Sequence, residues 1–444
     1  MTFADLNLNK ALLNALNDLE YLNPTPIQIE AFPLIMSGRD VVGIAQTGTG
    51  KTYAYLLPLL RMLNFSKEGH PRVLIVVPTR ELVLQVVREI EKLTTYLTLR
   101  AVGVYGGTGM STQKQKIGEG TDIVVATPGR LLDLAYTGVL RLKSIKKLVI
   151  DEVDEMLNLG FRSQLNDILD VLPSKRQNLL FSATMTEEVE QLLQTFFNQP
   201  EKVEIAMSGT PIEKIKQSAY HVPNFNTKVH LLNHLLGEHE SMNKVLVFIS
   251  TKRLADILYE RLDFSHGKRV GVIHGNKTQN FRNRSVQSFH DGETRVLIAT
   301  DVIARGVDIS EVSHVINFDL PEVPENYIHR IGRTGRADRE GVAISLVNEI
   351  EQEYQIAVEK LMKQSIEILP FPEGVEISDE MIPEEIPSLA GDKNYLGTTQ
   401  LATTKGAFHE KKEKNKKVNR AKEKRMARIR EKQKARRRKK PRKR

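Results

Sequence analysis

A chain of 444 residues exceeds one typical domain and has material for two to three compact units. It contains no cysteine, which excludes disulfides, thiolate zinc sites and cysteine nucleophiles and suits a reducing compartment. The net charge is +9, but residues 411–444 hold 21 Lys or Arg against 3 Glu, a net of +18, which leaves the first 410 residues at −9. Nucleic-acid affinity of the body must therefore come from placed groups and not from bulk charge. Apolar runs such as VLIVV at 73–77 fall far short of the roughly 18 residues of a membrane span. The N-terminal MTFADLNLNK lacks the basic-then-apolar pattern of a secretory signal. The expectation is a cytoplasmic protein with no membrane partner.

From residue 40 to residue 185 short β-rich runs alternate with segments of helical period: DVVGIA, RVLIVVP, AVGVYG, DIVVATP, KLVIDE and QNLLFSAT. That alternation predicts a parallel sheet with crossover helices. MSGTPIEKIKQ, 207–217, carries Gly and Pro without a period and reads as a linker. A second set follows, KVLVFIST, RVGVIHG, TRVLIATD, HVINFDLP and GVAISLV, and predicts a second α/β unit. The periodic pattern stops near residue 370. The acidic, Pro-broken FPEGVEISDEMIPEEIPS, a polar stretch and the basic run predict that 371–444 is largely disordered.

AQTGTGKT, 45–52, lies between a strand pattern and a helix pattern and fits G-x-x-x-x-G-K-[ST] with Ala45 in the first place. Gly48, Thr49 and Gly50 would turn backbone N–H groups toward a phosphate. Lys51 would reach the β and γ phosphates of ATP, and Thr52 would offer a hydroxyl to Mg²⁺. The bland alternative is a Gly-rich turn capping a helix. KLVIDEVDEML, 147–157, poses a similar choice, since carboxylates are favoured in a helix's first turn. A phosphate loop of this class needs a carboxylate at the end of a second strand. Asp151 would then hold Mg²⁺ through its water shell, and Glu152 would orient and deprotonate an attacking water.

With these residues placed, the chain resembles the DEAD-box family of ATP-dependent RNA helicases from Phe3 to about residue 345. The resemblance implies that PTPIQ, 24–28, reads adenine through Gln28 and Thr25, with Phe3 stacking on the ring, although Glu20 stands where the family has a Gly. It implies RNA-backbone contacts at Pro78, Thr79 and Arg80 of PTRELVLQ, at Gly106 and Gly107, and at Thr127, Pro128, Gly129 and Arg130 of TPGR. In the second lobe the implied RNA contacts are Thr251, Gln279 and Arg282 of HGNKTQNFR, and Thr300. Ser182 and Thr184 of SAT, with Asp154, would couple hydrolysis to strand separation. Asp301, Arg305 and Asp308 of TDVIARGVD would help form the lobe interface, Asp308 also serving the nucleotide. Arg333 and Arg336 of HRIGRTGR, three positions apart, could share a helical face and would act as fingers on the γ-phosphate.

The implied architecture is two tandem RecA-like lobes, 1–206 and 218–370, joined by the linker and followed by the 371–444 extension. The family's name tetrad is DEVD here, and Val153 in place of Ala adds bulk without removing charge. Trp is absent and aromatic residues make up 6%, which argues against base stacking as the main grip. The implied partner is single-stranded or short duplex RNA, gripped without sequence preference by a monomer, and ribosomal or degradation assemblies are the implied setting. The basic tail is most similar to that of bacterial RhlE-like helicases. A nucleotide-gated RNA clamp with slow turnover and a superfamily 2 DNA translocase remain as alternatives.

Overall fold

The structure is a computed structural model that describes residues 1–46, 48–205, 215–238, 241–266, 269–301, 309, 312–335 and 341–385. Among the described residues it divides into two compact units, the first over 1–44 and 51–204 and the second over 205–385, with the short loop 45–50 grouped with the second. In the first unit the strands are β1 (Val41–Ile44), β2 (Val73–Val76), β3 (Ala101–Val104), β4 (Ile123–Ala126), β5 (Lys147–Asp151), β6 (Gln177–Ser182) and β7 (Glu201–Glu204). They form one sheet in the order β3-β4-β2-β5-β6-β1-β7, with every pairing parallel. In the second unit β8 (Ile215–His221), β9 (Val245–Phe248), β10 (Val270–Ile273), β11 (Val296–Ala299), β12 (His314–Asn317), β13 (Gly341–Val347) and β14 (Glu367–Ile368) repeat the plan in the order β10-β11-β9-β12-β13-β8-β14.

The strand sequences explain the choice. VLIV, IVVA and VLIA are apolar at every position, and all twelve residues are buried, as a strand covered on both faces by crossover helices requires. Because all strands run one way, the loops at their carboxyl ends share one edge of the sheet, where ligands of such folds bind. Sheet order then sorts those loops. The loops after β3, β4 and β2 are neighbours, and so are those after β5, β6 and β1.

Two boundaries differ from the sequence reading. Residues 215–217, placed in the linker, open strand β8, where Ile215 and Gln217 are buried and Lys216 is exposed. Residues 371–385, placed in a disordered extension, form a strap on the second unit. Ile382 is buried in that unit's core, and Phe371 and Val375 pack beside it. The Ser378 and Glu380 carbonyls accept from the side chains of Asn224 and Asn226, and the Glu385 carboxylate accepts from the Phe225 amide at 2.6 Å. Composition hides this strap because its partners are polar side chains 150 residues earlier, not a face of its own. Residues 386–444, Arg305, Asp308 and Arg336 lie outside the described residues.

Candidate nucleotide and nucleic-acid sites

The loop after β1 closes on itself, Thr49 Oγ1 donating to the Gln46 carbonyl at 2.7 Å. Gly48 and Gly50 take φ of 85° and 92°, a left-handed backbone that a side chain would strain. Lys51 and Thr52 then begin the helix Lys51–Met62. Lys51 is only 6% exposed, and its ammonium has no hydrogen-bond partner among the described residues. A buried cation left without a hydrogen bond is costly, and a phosphate is the anion this loop is shaped to receive.

Asp151 ends β5 and is buried. Burial raises its pKa, against which the Lys51 charge and a hydrogen bond from Tyr55 both act. The Tyr55 hydroxyl donates to Asp151 Oδ2 at 2.9 Å and also bonds the Thr52 side chain, so one fully buried phenol joins both residues expected at the metal. Burial and the Asp151 charge push the Tyr55 pKa well above its ordinary value, so it remains a donor. Sequence reading missed Tyr55. Its signal was the spacing of three from Thr52 on a helix. Glu152 sits at φ 52° and ψ 51°, and its amide donates to Asp151 Oδ1 at 3.0 Å.

Asp154 is 3% exposed, and its Oδ2 accepts from the Ala183 and Thr184 amides and from the Thr184 hydroxyl, at 3.1, 3.1 and 3.0 Å. Ser182 at the end of β6 is fully buried. The tetrad and SAT are thereby one hydrogen-bonded body. Near the N-terminus Gln28 is buried and its Oε1 accepts from the Thr25 amide at 3.0 Å, which fixes the side chain. Phe3 is also buried, at 5% exposure. Glu20 does adopt the left-handed backbone a Gly would supply, at φ 58°, so the turn survives the substitution at a cost of about 1 kcal/mol.

The remaining first-unit residues meet at the other half of the sheet edge. Thr79 caps the helix Arg80–Leu93, its hydroxyl accepting from the Leu82 amide. Arg80 stacks over the Tyr105 ring at 4.9 Å, and Gly107, at φ 80°, lies against its guanidinium. Gly106 has open space around it. Thr127, Pro128 and Gly129 start the next helix, Pro128–Tyr136. Arg130 turns inward, donating to the Thr108 carbonyl at 3.2 Å and to Gln113 Oε1 at 3.0 Å. Gln113 in turn donates to the Tyr105 carbonyl. Arg130 therefore holds the Gly106–Gly107 turn. Pro78 follows β2 in the same row.

In the second unit Thr251 caps the helix Lys252–His266, Thr278 caps Gln279–His290, and Thr300 is buried just after β11. Arg282 donates to Gln279, at 2.5 Å. Asp301, expected at a lobe interface, is gripped within its own unit by Arg330, at 2.6 and 2.8 Å. The helix Pro324–Ile331 ends before Arg333, because Gly332 caps it, so the shared helical face predicted for Arg333 and Arg336 does not continue to Arg333. Arg333 occupies the following turn and is 6% exposed.

Two parallel α/β units, the first with a phosphate loop beside an Asp-Glu strand end, define a tandem RecA-like nucleotide-dependent protein. The DEAD/DEAH box helicase family profile matches residues 25–192, and the helicase conserved C-terminal domain profile matches 227–338. RNA helicase CrhR of Synechocystis sp. is 41% identical over 381 residues, covering 86% of this chain and 77% of the relative. DEAD-box ATP-dependent RNA helicase CshA of Bacillus subtilis is 37% identical over 397 residues, covering 89% and 80%. The solved structure of S. cerevisiae Dbp5 bound to RNA and ADP BeF3 aligns with a TM-score of 0.75 at 31% identity, covering 83% of this chain and 95% of that one. The chain belongs to the DEAD-box family of ATP-dependent RNA helicases.

Proposed function

We propose that this chain hydrolyses ATP to ADP and phosphate in response to RNA, and uses the cycle to part short duplexes or remodel RNA–protein complexes. The observation that carries the reading is the division of one sheet edge. The phosphate loop, Asp151–Glu152 and SAT follow β1, β5 and β6, while Arg80, Gly107 and Arg130 gather behind β2, β3 and β4. One rigid sheet thus presents a nucleotide half and a polymer half, with Asp154 and Thr184 bonded on the nucleotide side.

Lys51 places its charge against the β and γ phosphates. Thr52 and Asp151, joined through Tyr55, fit a hard cation that keeps most of its water and takes one or two protein oxygens, and Mg²⁺ there would neutralise charge on the leaving phosphates. Glu152 accepts the proton of the attacking water on its carboxylate. Arg333 and Arg336 supply the second unit's cations for the γ-phosphate, Asp301, Arg305 and Asp308 support them, and Gln28, Thr25 and Phe3 bind adenine. The polymer contacts are backbone amides, hydroxyls and guanidiniums, which suit phosphates and sugars and read no sequence. A monomer acting in the cytoplasm, on ribosomal or degradation assemblies, is the setting this reading favours.

Lys51→Ala and Glu152→Gln test it together. With Lys51→Ala, RNA-stimulated phosphate release should fall to background while the protein still melts cooperatively. With Glu152→Gln, turnover should fall by about 100-fold or more, yet a fluorescent ATP analogue should still bind and RNA should be retained. Normal turnover in either variant overturns the corresponding assignment. Equal stimulation by single-stranded DNA would favour the DNA translocase instead.

A further inference from the structure

A buried charge network in the second unit has no part in the site described so far. Lys228, on the helix Phe225–Glu238, is 2% exposed. Its ammonium donates to Glu351 Oε2 at 2.7 Å, to the Phe318 carbonyl at 2.7 Å and to Asp319 Oδ1 at 3.3 Å. Burial alone would lower its pKa, but the two carboxylates outweigh that and hold it charged. Glu351 is itself tied down, its oxygens accepting from the Leu320 and Asn348 amides.

The free side of Asp319 does something more specific. Its Oδ2 accepts from the Ser250 amide at 2.9 Å and the Ser250 hydroxyl at 2.7 Å, and Ser250 immediately precedes Thr251. The Asp319 carbonyl accepts from Arg330, at 2.5 Å, and the same guanidinium grips Asp301, the neighbour of Thr300. Arg330 also lies three residues before Arg333, whose amide donates to its carbonyl at 3.2 Å. Asp319 is thus the joint between the turn after β9, the end of β11 and the turn that carries Arg333.

Stability alone gives little reason for such a network, since a buried ion cluster is often no better than apolar residues of the same volume. Geometry gives a reason. We propose that Lys228 is a positioning residue for RNA binding, which fixes Asp319 and so sets the Ser250–Thr251 turn in register with Thr300, Asp301 and Arg333. This rests on the reading of Thr251 and Thr300 as RNA contacts.

The test uses the full chain and two kinds of variant. Ser250 is exposed, so Ser250→Ala removes one hydrogen bond to Asp319 with little risk to folding, and Ser250→Thr restores a hydroxyl. Lys228→Met with Glu351→Gln removes the anchor while leaving the net charge of the cluster unchanged. For each, RNA and ATP half-saturation of the ATPase are measured alongside the melting temperature. Ser250→Ala should raise the RNA concentration for half-maximal activity by about tenfold, leave ATP half-saturation unchanged, and be rescued by Ser250→Thr. The double variant should show at least the same rise. Folded variants with wild-type RNA half-saturation overturn the proposal, as does a parallel rise for RNA and ATP, which would signal general loosening. If the double variant does not fold, the Ser250 pair decides. A wild type that ignores RNA overturns the functional reading, and this proposal with it.

Discussion

Glu152 carries a backbone conformation that an L-residue with a side chain adopts at a cost of about 1–2 kcal/mol. The cost follows from the task. Strand β5 ends with Asp151, and the helix Val153–Asn158 begins two residues later, so the reversal falls on Glu152 between them. Glu152 is one of five described non-glycine residues with positive φ, and it lies where the chemistry is expected. The neighbour, Val153, places its added bulk in the core. It is fully buried in the core that includes Ile150, Met156 and Leu180. Val153→Ala would restore the usual tetrad but open a small cavity. The expected outcome is a loss of about 1–3 kcal/mol in denaturant unfolding, with RNA-stimulated turnover near that of the parent at a temperature where both are folded. Unchanged stability would mean that the site collapses around the smaller side chain.

The elements divide into those with a local signal and those without. Most strands were legible, because short apolar runs between helical segments suit a sheet covered on both faces, whereas β8, with Lys216, Gln217 and Ser218 in its run, was not. Gly48, Gly50, Lys51 and Thr52 were legible because the turn itself dictates their types. Tyr55, Lys228 and Arg330 were not, since each acts through a partner distant in the chain: Asp151, Glu351 and Asp301 respectively. The helical spacing read into Arg333 failed because Gly332 ends the helix first. The strap at 371–385 failed for the same reason as Tyr55, and it makes a prediction of its own. Ile382 is its one buried apolar anchor in the core of the second unit, at 4% exposure. Ile382→Ala should lower stability by about 2 kcal/mol, read from denaturant unfolding followed by a probe in that unit. No change would show that the hydrogen bonds to Asn224, Asn226 and Phe225 hold the strap without it.

For the whole molecule the question is why a body at −9 carries a +18 terminus. The RNA contacts proposed for the body are few and placed, so on that proposal its affinity between turnovers depends on geometry that ATP would help assemble. Residues 411–444 bring 21 cations that need no geometry, since a polycation binds phosphates by releasing counterions. Such a segment raises the local concentration of RNA around the catalytic units without taking part in chemistry. A solubilising run of the same charge would do neither. Deleting 411–444 should therefore raise the RNA concentration for half-maximal ATPase and flatten its dependence on salt, while the RNA-saturated turnover stays nearly constant. The measurement is RNA-stimulated ATPase at several salt concentrations for the full and shortened chains. Identical half-saturation and identical salt slopes would leave the tail with a solubilising role only. A collapse of the saturated turnover would instead place the tail within the catalytic cycle, because a tether changes how often RNA is engaged and not how fast the engaged complex turns over.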